Sequence, residues 1–233
     1  GYYFTSDRQK HTSGKLPNPV LTKAAMQGRD SHVTHWDGYG ASIDAITRAA
    51  SAAGFFNAIA DADGIVRATP LLASFENQYY ESFALALFRV YHGLPQSSVK
   101  FQNDRAISAL QMSLNGKVQA IHVDEKLSVL IPYRGFGGAA GGTYRYVSAI
   151  DVLSKKLSEN ELKDKIVLIG STAPGLQDLR TTPVGEAYPG VETHANILSS
   201  MLDGQSVYRP DYALGYELLM LLIVSVLLAF VLP

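Results

Sequence analysis

Cysteine is absent from the 233 residues of this chain. This absence excludes disulfide bonds, thiolate zinc sites and cysteine nucleophiles, and it is compatible with either a cytosolic or a periplasmic location. A surplus of charge of one sign is also lacking, because 20 Lys and Arg face 21 Asp and Glu and leave a formal net charge of −1. Proteins that bind nucleic acid usually carry a basic surplus, so the sequence predicts no nucleic-acid partner.

The composition is also not that of a disordered protein, since 47% of the residues are hydrophobic and 18% are charged. These fractions are typical of a globular protein. The length suits one large domain or two small ones, and a chain of this size can bury a substantial core.

Long hydrophobic runs are lacking everywhere except near the C-terminal end, where residues 218–232 carry no charge. Together with residues 212–217, this run reaches the length of about 20 residues that a membrane-spanning helix requires. Aromatic and basic residues of the types enriched at membrane interfaces flank it, namely Tyr208, Arg209, Tyr212 and Tyr216. The run lacks the polar face of a surface helix, which makes a buried C-terminal helix the weaker alternative. The sequence predicts a transmembrane helix over residues 212–233.

Turn and capping signals divide the rest of the chain into short helices and strands. After a long loop, the predicted helices cover residues 42–53, 80–91, 148–153 and 190–202. The predicted strands cover residues 1–4, 55–60, 65–72, 106–114, 117–123, 126–133, 144–147 and 165–170. Asn115-Gly116 is the signal of a type I′ hairpin turn, and the apolar run 165–170 is typical of a central parallel strand. The sequence therefore predicts an α/β fold in which helices pack on a mixed β-sheet.

Three segments carry a resemblance to a known family. The first combines GFFN at residues 54–57 with DADGIVRATPL at residues 61–71. The second combines YRG at residues 133–135 with YVSAIDVL at residues 146–153. The third and most specific combines KIVLIGSTAPGLQDLRTTP at residues 165–183 with YPGVETHAN at residues 188–196. Together they resemble the CHASE2 family of extracellular sensor domains over roughly residues 1–210.

The resemblance implies a sensor rather than an enzyme. Domains of this family lie outside the cytoplasmic membrane of bacteria, and transmembrane helices connect them to a cytoplasmic output domain. That output is often an adenylate or guanylate cyclase and otherwise a histidine or Ser/Thr kinase, and the third segment most resembles the cyclase-linked members. Because class III cyclases form their active sites between two catalytic domains, the resemblance also implies a homodimer. It implies no cofactor, and it leaves the signal, a small molecule or a protein, unidentified.

The domain boundaries follow from the same resemblance. Family members usually carry another strand and helix before the strand at residues 1–4. We therefore expect residues 1–211 to be a periplasmic sensor domain that lacks its N-terminal part, and residues 212–233 to be the helix in the inner membrane. A structural or assembly module of a membrane complex and an exported hydrolase are the alternative functions.

The polar loop after residues 165–170 is the candidate ligand site. Binding crevices of α/β sheets lie at the carboxyl ends of parallel strands, and the next helix can direct its first N–H groups into such a crevice. The candidate ligand-binding residues are Ser171, Thr172, Asp178, Arg180, Thr181, Thr182, His194 and Asn196. The alternative is that Asp178, Arg180 and His194 form a buried polar network that holds the loop to the helix.

Other motifs favour structural roles. Asp61, Asp63, Gly64 and Arg67 are predicted to form a structural turn, since an EF-hand would require a glutamate where Leu72 stands. His32 and His35 lack a third ligand, so no metal site is predicted. Residues 135–142 are predicted to be a flexible glycine-rich loop rather than a phosphate cradle. Ser171 lacks the Gly-x-Ser-x-Gly context of a nucleophile, so no catalytic residue is predicted.

Overall fold

A computed structural model describes residues 1–6, 9–102, 106–140, 142–158, 160–172, 178–208 and 212–231. The described helices are α1 (Asp44–Ala49), α2 (Phe83–Tyr91), α3 (Ala149–Leu153), α4 (Gly190–Leu202) and α5 (Ala213–Val231). The described strands are β1 (Tyr3–Thr5), β2 (Thr12–Ser13), β3 (Leu21–Thr22), β4 (Gly38–Gly40), β5 (Ala68–Pro70), β6 (Leu72–Phe75), β7 (Gln78–Glu81), β8 (Ser97–Gln102), β9 (Ala106–Leu114), β10 (Lys117–His122), β11 (Ser128–Leu130), β12 (Leu179–Thr182) and β13 (Gly185–Pro189).

The strands form several small sheets rather than one large one. Their orders are β1-β4-β2, β3-β7-β6, β10-β9-β8, β11-β5 and β12-β13. In the first of these sheets β4 pairs antiparallel with β1 and parallel with β2, so the sheet is mixed. The predicted mixed α/β fold is confirmed, although the sheet is divided into small parts.

The hairpin of β9 and β10 forms where the sequence predicts it. Leu114 pairs with Lys117 across the turn, and both turn residues, Asn115 and Gly116, have positive φ angles of 49° and 77°. These are the angles that a type I′ turn requires and that asparagine and glycine tolerate. The signal was sufficient because a two-residue turn is determined by its own backbone.

Helices α2 and α4 pack together over the main hydrophobic core. Leu85 and Phe88 of α2 and Ile197 of α4 join Leu110 and Met112 of β9 in this cluster. Ser82 caps α2 by accepting a hydrogen bond from the Leu85 N–H at 3.4 Å. Helix α2 begins three residues later than predicted because Tyr80 and Glu81 pair with β6 as part of β7. The core therefore fixes α4, the helix that the candidate ligand site adjoins.

A second cluster is aromatic and surrounds Phe4. The Phe4 ring centroid lies 5.4 Å from that of Tyr2, 5.6 Å from that of Phe55 and 6.0 Å from that of Phe75. Aromatic pairs at these separations stabilise the folded state by more than the burial of their apolar area alone. This cluster holds β1 beside residue 55 and so positions the neighbouring residues 56–58.

The predicted central strand at residues 165–170 is wrong. No strand ladder in the described part of the chain includes these residues, and the side chains of Val167 and Ile169 are 51% and 93% exposed. An apolar run predicts burial but cannot supply the neighbouring strand whose backbone completes its hydrogen bonds. Residues 56–60 likewise form no ladder, and α1 buries none of its residues.

Helix α5 carries the apolar C-terminal run. It is the one helix among the described residues that is long and apolar enough to cross a membrane, and none of its most apolar window is buried against the rest of the protein. The helix is close to the length predicted from the sequence. Arg209 and Leu232 lie outside the described residues.

Candidate functional site

A cavity of about 260 Å³ lies beside the start of α4. Its walls come from residues 56–58, from Phe83 at the start of α2, from residues 169–170 and from the first turn of α4. Asp178, Arg180 and His194, three of the predicted ligand-binding residues, line this cavity. The site forms without the parallel strand from which it was predicted, because α4, Phe83 and residues 56–58 supply its walls.

Two glycines allow the chain to approach the first turn of α4. A Cβ atom built on Gly170 would lie 2.5 Å from the Cβ of Val191, and one built on Gly190 would lie 2.2 Å from Oδ1 of Asp178. The Gly190 N–H donates to the Asp178 backbone carbonyl at 2.8 Å. The carboxylate of Asp178 therefore lies directly against the helix, at a place where only glycine leaves room for it.

Asp178 and Arg180 form a loose ion pair at the cavity. Nη2 of Arg180 lies 3.4 Å from Oδ1 of Asp178, and the two side chains are 33% and 36% exposed. Burial raises the pKa of Asp178, and the nearby Arg180 only partly opposes this effect. The pair is long for a charge-assisted hydrogen bond, which is usually 2.7–2.9 Å.

The ion pair between Arg89 and Glu81 has the short, bidentate geometry that the Asp178–Arg180 pair lacks. Nη1 of Arg89 donates to both carboxylate oxygens of Glu81 at 2.8 Å, and Nε of Arg89 donates to the Pro95 carbonyl at 3.0 Å. These two side chains are only 11% and 7% exposed. Compared with them, Asp178 and Arg180 leave most of their hydrogen-bonding capacity unused within the described residues.

His194 forms an uncharged wall of the cavity. The pKa of His194 is lowered to about 4, mainly by burial and also by the positive charge of Arg180, while a hydrogen bond with the Phe56 backbone partly opposes both effects. Its ring meets Phe83 edge-on, with the centroids 5.4 Å apart. Nδ1 is buried and has no hydrogen-bond partner within the described residues. The imidazole is therefore neutral at pH 7.

The remaining predicted residues lie outside the lining of the cavity. Ser171 and Thr172 are exposed beside Gly170. The carbonyl of Thr181 accepts a hydrogen bond from the Val66 N–H at 2.8 Å, and the hydroxyl of Thr182 donates to the Gly185 carbonyl at 3.0 Å. The Thr181 backbone and the Thr182 hydroxyl thus bond to other backbone groups of the protein rather than to the cavity.

Asn196 belongs to a buried polar network on the other side of α4. Oδ1 of Asn196 accepts from the Arg134 N–H at 3.1 Å, and Nδ2 donates to the Tyr188 hydroxyl at 2.7 Å and to the Glu192 carbonyl at 2.8 Å. Asn196 is fully buried. Its contacts hold α4 to the chain before the glycine-rich loop.

Sequence reasoning missed the role of Glu192. This residue is 3% exposed, and its Oε2 accepts from the Tyr146 hydroxyl at 2.6 Å and from the Gly138 N–H at 2.8 Å. The loop predicted to be flexible is therefore anchored to α4 through Gly138. An acidic residue in the first turn of a helix, where the helix dipole favours it, was the available signal.

The turn around Gly64 has the contacts that its sequence suggests. Nη1 of Arg67 lies 2.8 Å from Asp61, and Nη2 lies 2.7 Å from Asp63. Gly64 has a φ angle of 81°. Hydrogen bonds from Arg67 and from the Ile65 N–H lower the pKa of Asp63 to about 2. The geometry is that of a turn closed by its own ion pairs.

Comparison with protein-family models matches the CHASE2 domain over residues 4–232. No curated protein and no solved structure matches the chain. The match extends over both the cavity and the apolar helix α5. The chain therefore belongs to the CHASE2 domain family, whose members are the extracellular sensor domains of signalling receptors.

Proposed function

We propose that this chain is the periplasmic sensor module of a receptor in the bacterial inner membrane, with a class III adenylate or guanylate cyclase as its cytoplasmic output. A signal bound at the cavity changes the position of α4, and the change passes through α5 to the output domain. The receptor acts as a homodimer, because such cyclases require two catalytic domains.

The position of α4 is the observation that supports this proposal. Its first turn forms a wall of the cavity, and its last turn leads through residues 203–212 to the apolar helix α5. A helix of 13 residues is about 20 Å long. One rigid element thus connects the candidate ligand site with the segment next to the membrane.

The segment after α4 is held to the sensor domain. The Gln205 N–H donates to the Ser200 carbonyl at 2.9 Å. The ring of Tyr208 stacks on that of His122 in β10, with the centroids 4.5 Å apart and an interplanar angle of 12°. These contacts join residues 205–208 to both α4 and β10.

A signal can act only by binding the two receptor states with unequal affinity. The loose Asp178–Arg180 pair suits this requirement. Because its single long contact is weak, a ligand can separate the two side chains in one state at a small cost in free energy. A coupling of about 1–3 kcal/mol, or about 5- to 150-fold, is typical of allosteric proteins in general.

Gly190→Ala tests this mechanism. The new methyl group would displace the Asp178 carboxylate and break the ion pair, while alanine favours the helix itself. We expect the basal cyclase activity of the full-length receptor in vesicles to change by about fivefold or more. Gly185→Ala is the matched control, since its Cβ meets no atom within 4 Å. Equal activity of both variants and the wild type would contradict the mechanism and favour an assembly module.

The membrane orientation has a test of its own. Because the chain has no cysteine, single cysteines at Ser206 and Ser225 can be labelled selectively. Ser206→Cys should react with an impermeant thiol reagent in intact spheroplasts, whereas Ser225→Cys, near the middle of α5, should react only after the bilayer is dissolved. Labelling of Ser206→Cys only after lysis would reverse the orientation. Labelling of Ser225→Cys in intact membranes would show that α5 does not span the bilayer.

A further inference from the structure

The structure indicates a ligand class for the cavity beside α4. We infer that it binds a small zwitterion with an apolar side chain, that is, an apolar α-amino acid. In this arrangement Asp178 binds the ligand ammonium group, Arg180 binds the ligand carboxylate, and the apolar walls receive the side chain. The inference rests on the proposed sensor function and deepens it.

The geometry of Asp178 and Arg180 indicates which charged groups the ligand carries. Asp178 and Arg180 share one contact of 3.4 Å, whereas Glu81 and Arg89 share two of 2.8 Å. A guanidinium group offers five donors, and a carboxylate accepts at both oxygens. With respect to the described residues, the pair therefore retains an acceptor for an ammonium group and a fork of donors for a carboxylate, at adjacent positions on the cavity wall.

Charge balance selects a zwitterion over a simple ion. The pair is neutral overall, and His194 is uncharged at pH 7 because its pKa is lowered. A net charge brought into this partly desolvated place would lack a matching countercharge, which is costly. A ligand with both charges satisfies Asp178 and Arg180 together and adds no net charge to the cavity.

The walls and the size determine the rest of the ligand. Phe56, Phe83 and Val191 give the cavity apolar surface next to the charged pair. The volume of about 260 Å³ is below the range of about 300–1,000 Å³ that is usual for drug-sized ligands. The buried Nδ1 of His194, which has no partner among the described residues, can hydrogen-bond to the polar end of the ligand.

Calorimetric titration of the chain in nanodiscs with L-leucine tests the inference. We expect saturable binding of L-leucine and binding about 10- to 100-fold weaker for 4-methylpentanoate, which lacks the ammonium group, and for 3-methylbutylamine, which lacks the carboxylate. Arg180→Gln and Asp178→Asn should weaken leucine binding to a similar extent. Arg48→Gln, which removes an exposed ion pair with Asp44 on α1, should leave it unchanged. Thermal melting curves of each variant verify that it is folded.

Several results would overturn the inference. If leucine and its two analogues bind equally well, the cavity is apolar and does not recognise charge. If leucine, isoleucine and phenylalanine all fail to bind, apolar amino acids are excluded as the ligand class. Because Gly1 lines the cavity, the titration is repeated with the full-length receptor, and loss of binding there would also overturn the inference. If leucine fails to bind but Gly190→Ala still alters receptor output, the ligand class is wrong and the sensor function stands. If leucine binds as expected and output never responds, the ligand class stands and the sensor function falls.

Discussion

Asn196→Ala is expected to lower the free energy of unfolding by about 3 kcal/mol. Asn196 is fully buried and joins the Arg134 N–H, the Tyr188 hydroxyl and the Glu192 carbonyl. Truncation to alanine leaves the Arg134 N–H and the Tyr188 hydroxyl without the amide where water has little access. Each unmatched buried polar group costs about 1–3 kcal/mol, and the cavity left by the amide adds to the loss.

Urea denaturation in detergent micelles, followed by the fluorescence of the single tryptophan Trp36, measures this loss. Gln119→Ala is the matched control, because its amide donates to the Met201 carbonyl of the same helix at 3.2 Å from a partly exposed position. We expect this control to lose about 0.5–1.5 kcal/mol. A similar loss in both variants would show that the buried network around Asn196 is not a main support of α4.

Acidification is expected to destabilise the folded chain through His194. The pKa of His194 falls from 6.5 to about 4 on folding, so between these values the unfolded chain binds a proton that the folded chain does not. The contribution of His194 to the free energy of unfolding is therefore fully present above pH 6.5 and is lost as the pH falls toward 4. At about 1.4 kcal/mol per pH unit, the total loss is about 3 kcal/mol.

The contribution of His194 is isolated by comparing the wild type with His194→Gln over this pH range. Glutamine cannot be protonated, so the variant should lose about 3 kcal/mol less than the wild type between pH 6.5 and 4. Asp178 acts in the opposite direction, because its raised pKa favours the folded state at acid pH, and both proteins share this effect. His32→Gln, at a side chain 64% exposed, should follow the wild type. Parallel profiles for the wild type and His194→Gln would contradict the prediction.

Local chemistry was enough to predict several elements. The β9–β10 hairpin follows from Asn115 and Gly116, because two positive φ angles determine a type I′ turn without help from the rest of the chain. Helix α4 begins at Gly190, where the sequence predicts it, and Pro189 is its N-cap residue. The apolar run of α5 is likewise a property of composition alone. The ion pairs of Arg67 lie within six residues of each other along the chain, so short-range reasoning found them.

The walls and the position of the candidate site depend on the tertiary structure. The sequence by itself grouped Asp178, Arg180 and His194, because all three lie in one motif, but it placed them after a parallel strand that does not form. Residues 165–170 have the apolarity of a strand, yet strand formation depends on a neighbouring backbone that composition cannot reveal. The walls at residues 56–58 and Phe83 lie at least 95 residues before Asp178, Arg180 and His194 in the chain. Whether Asn196 faces the ligand or the core, and whether Glu192 is buried, depends on how α4 is rotated against its neighbours. That rotation is determined by packing against α2 and β13, which no local pattern encodes.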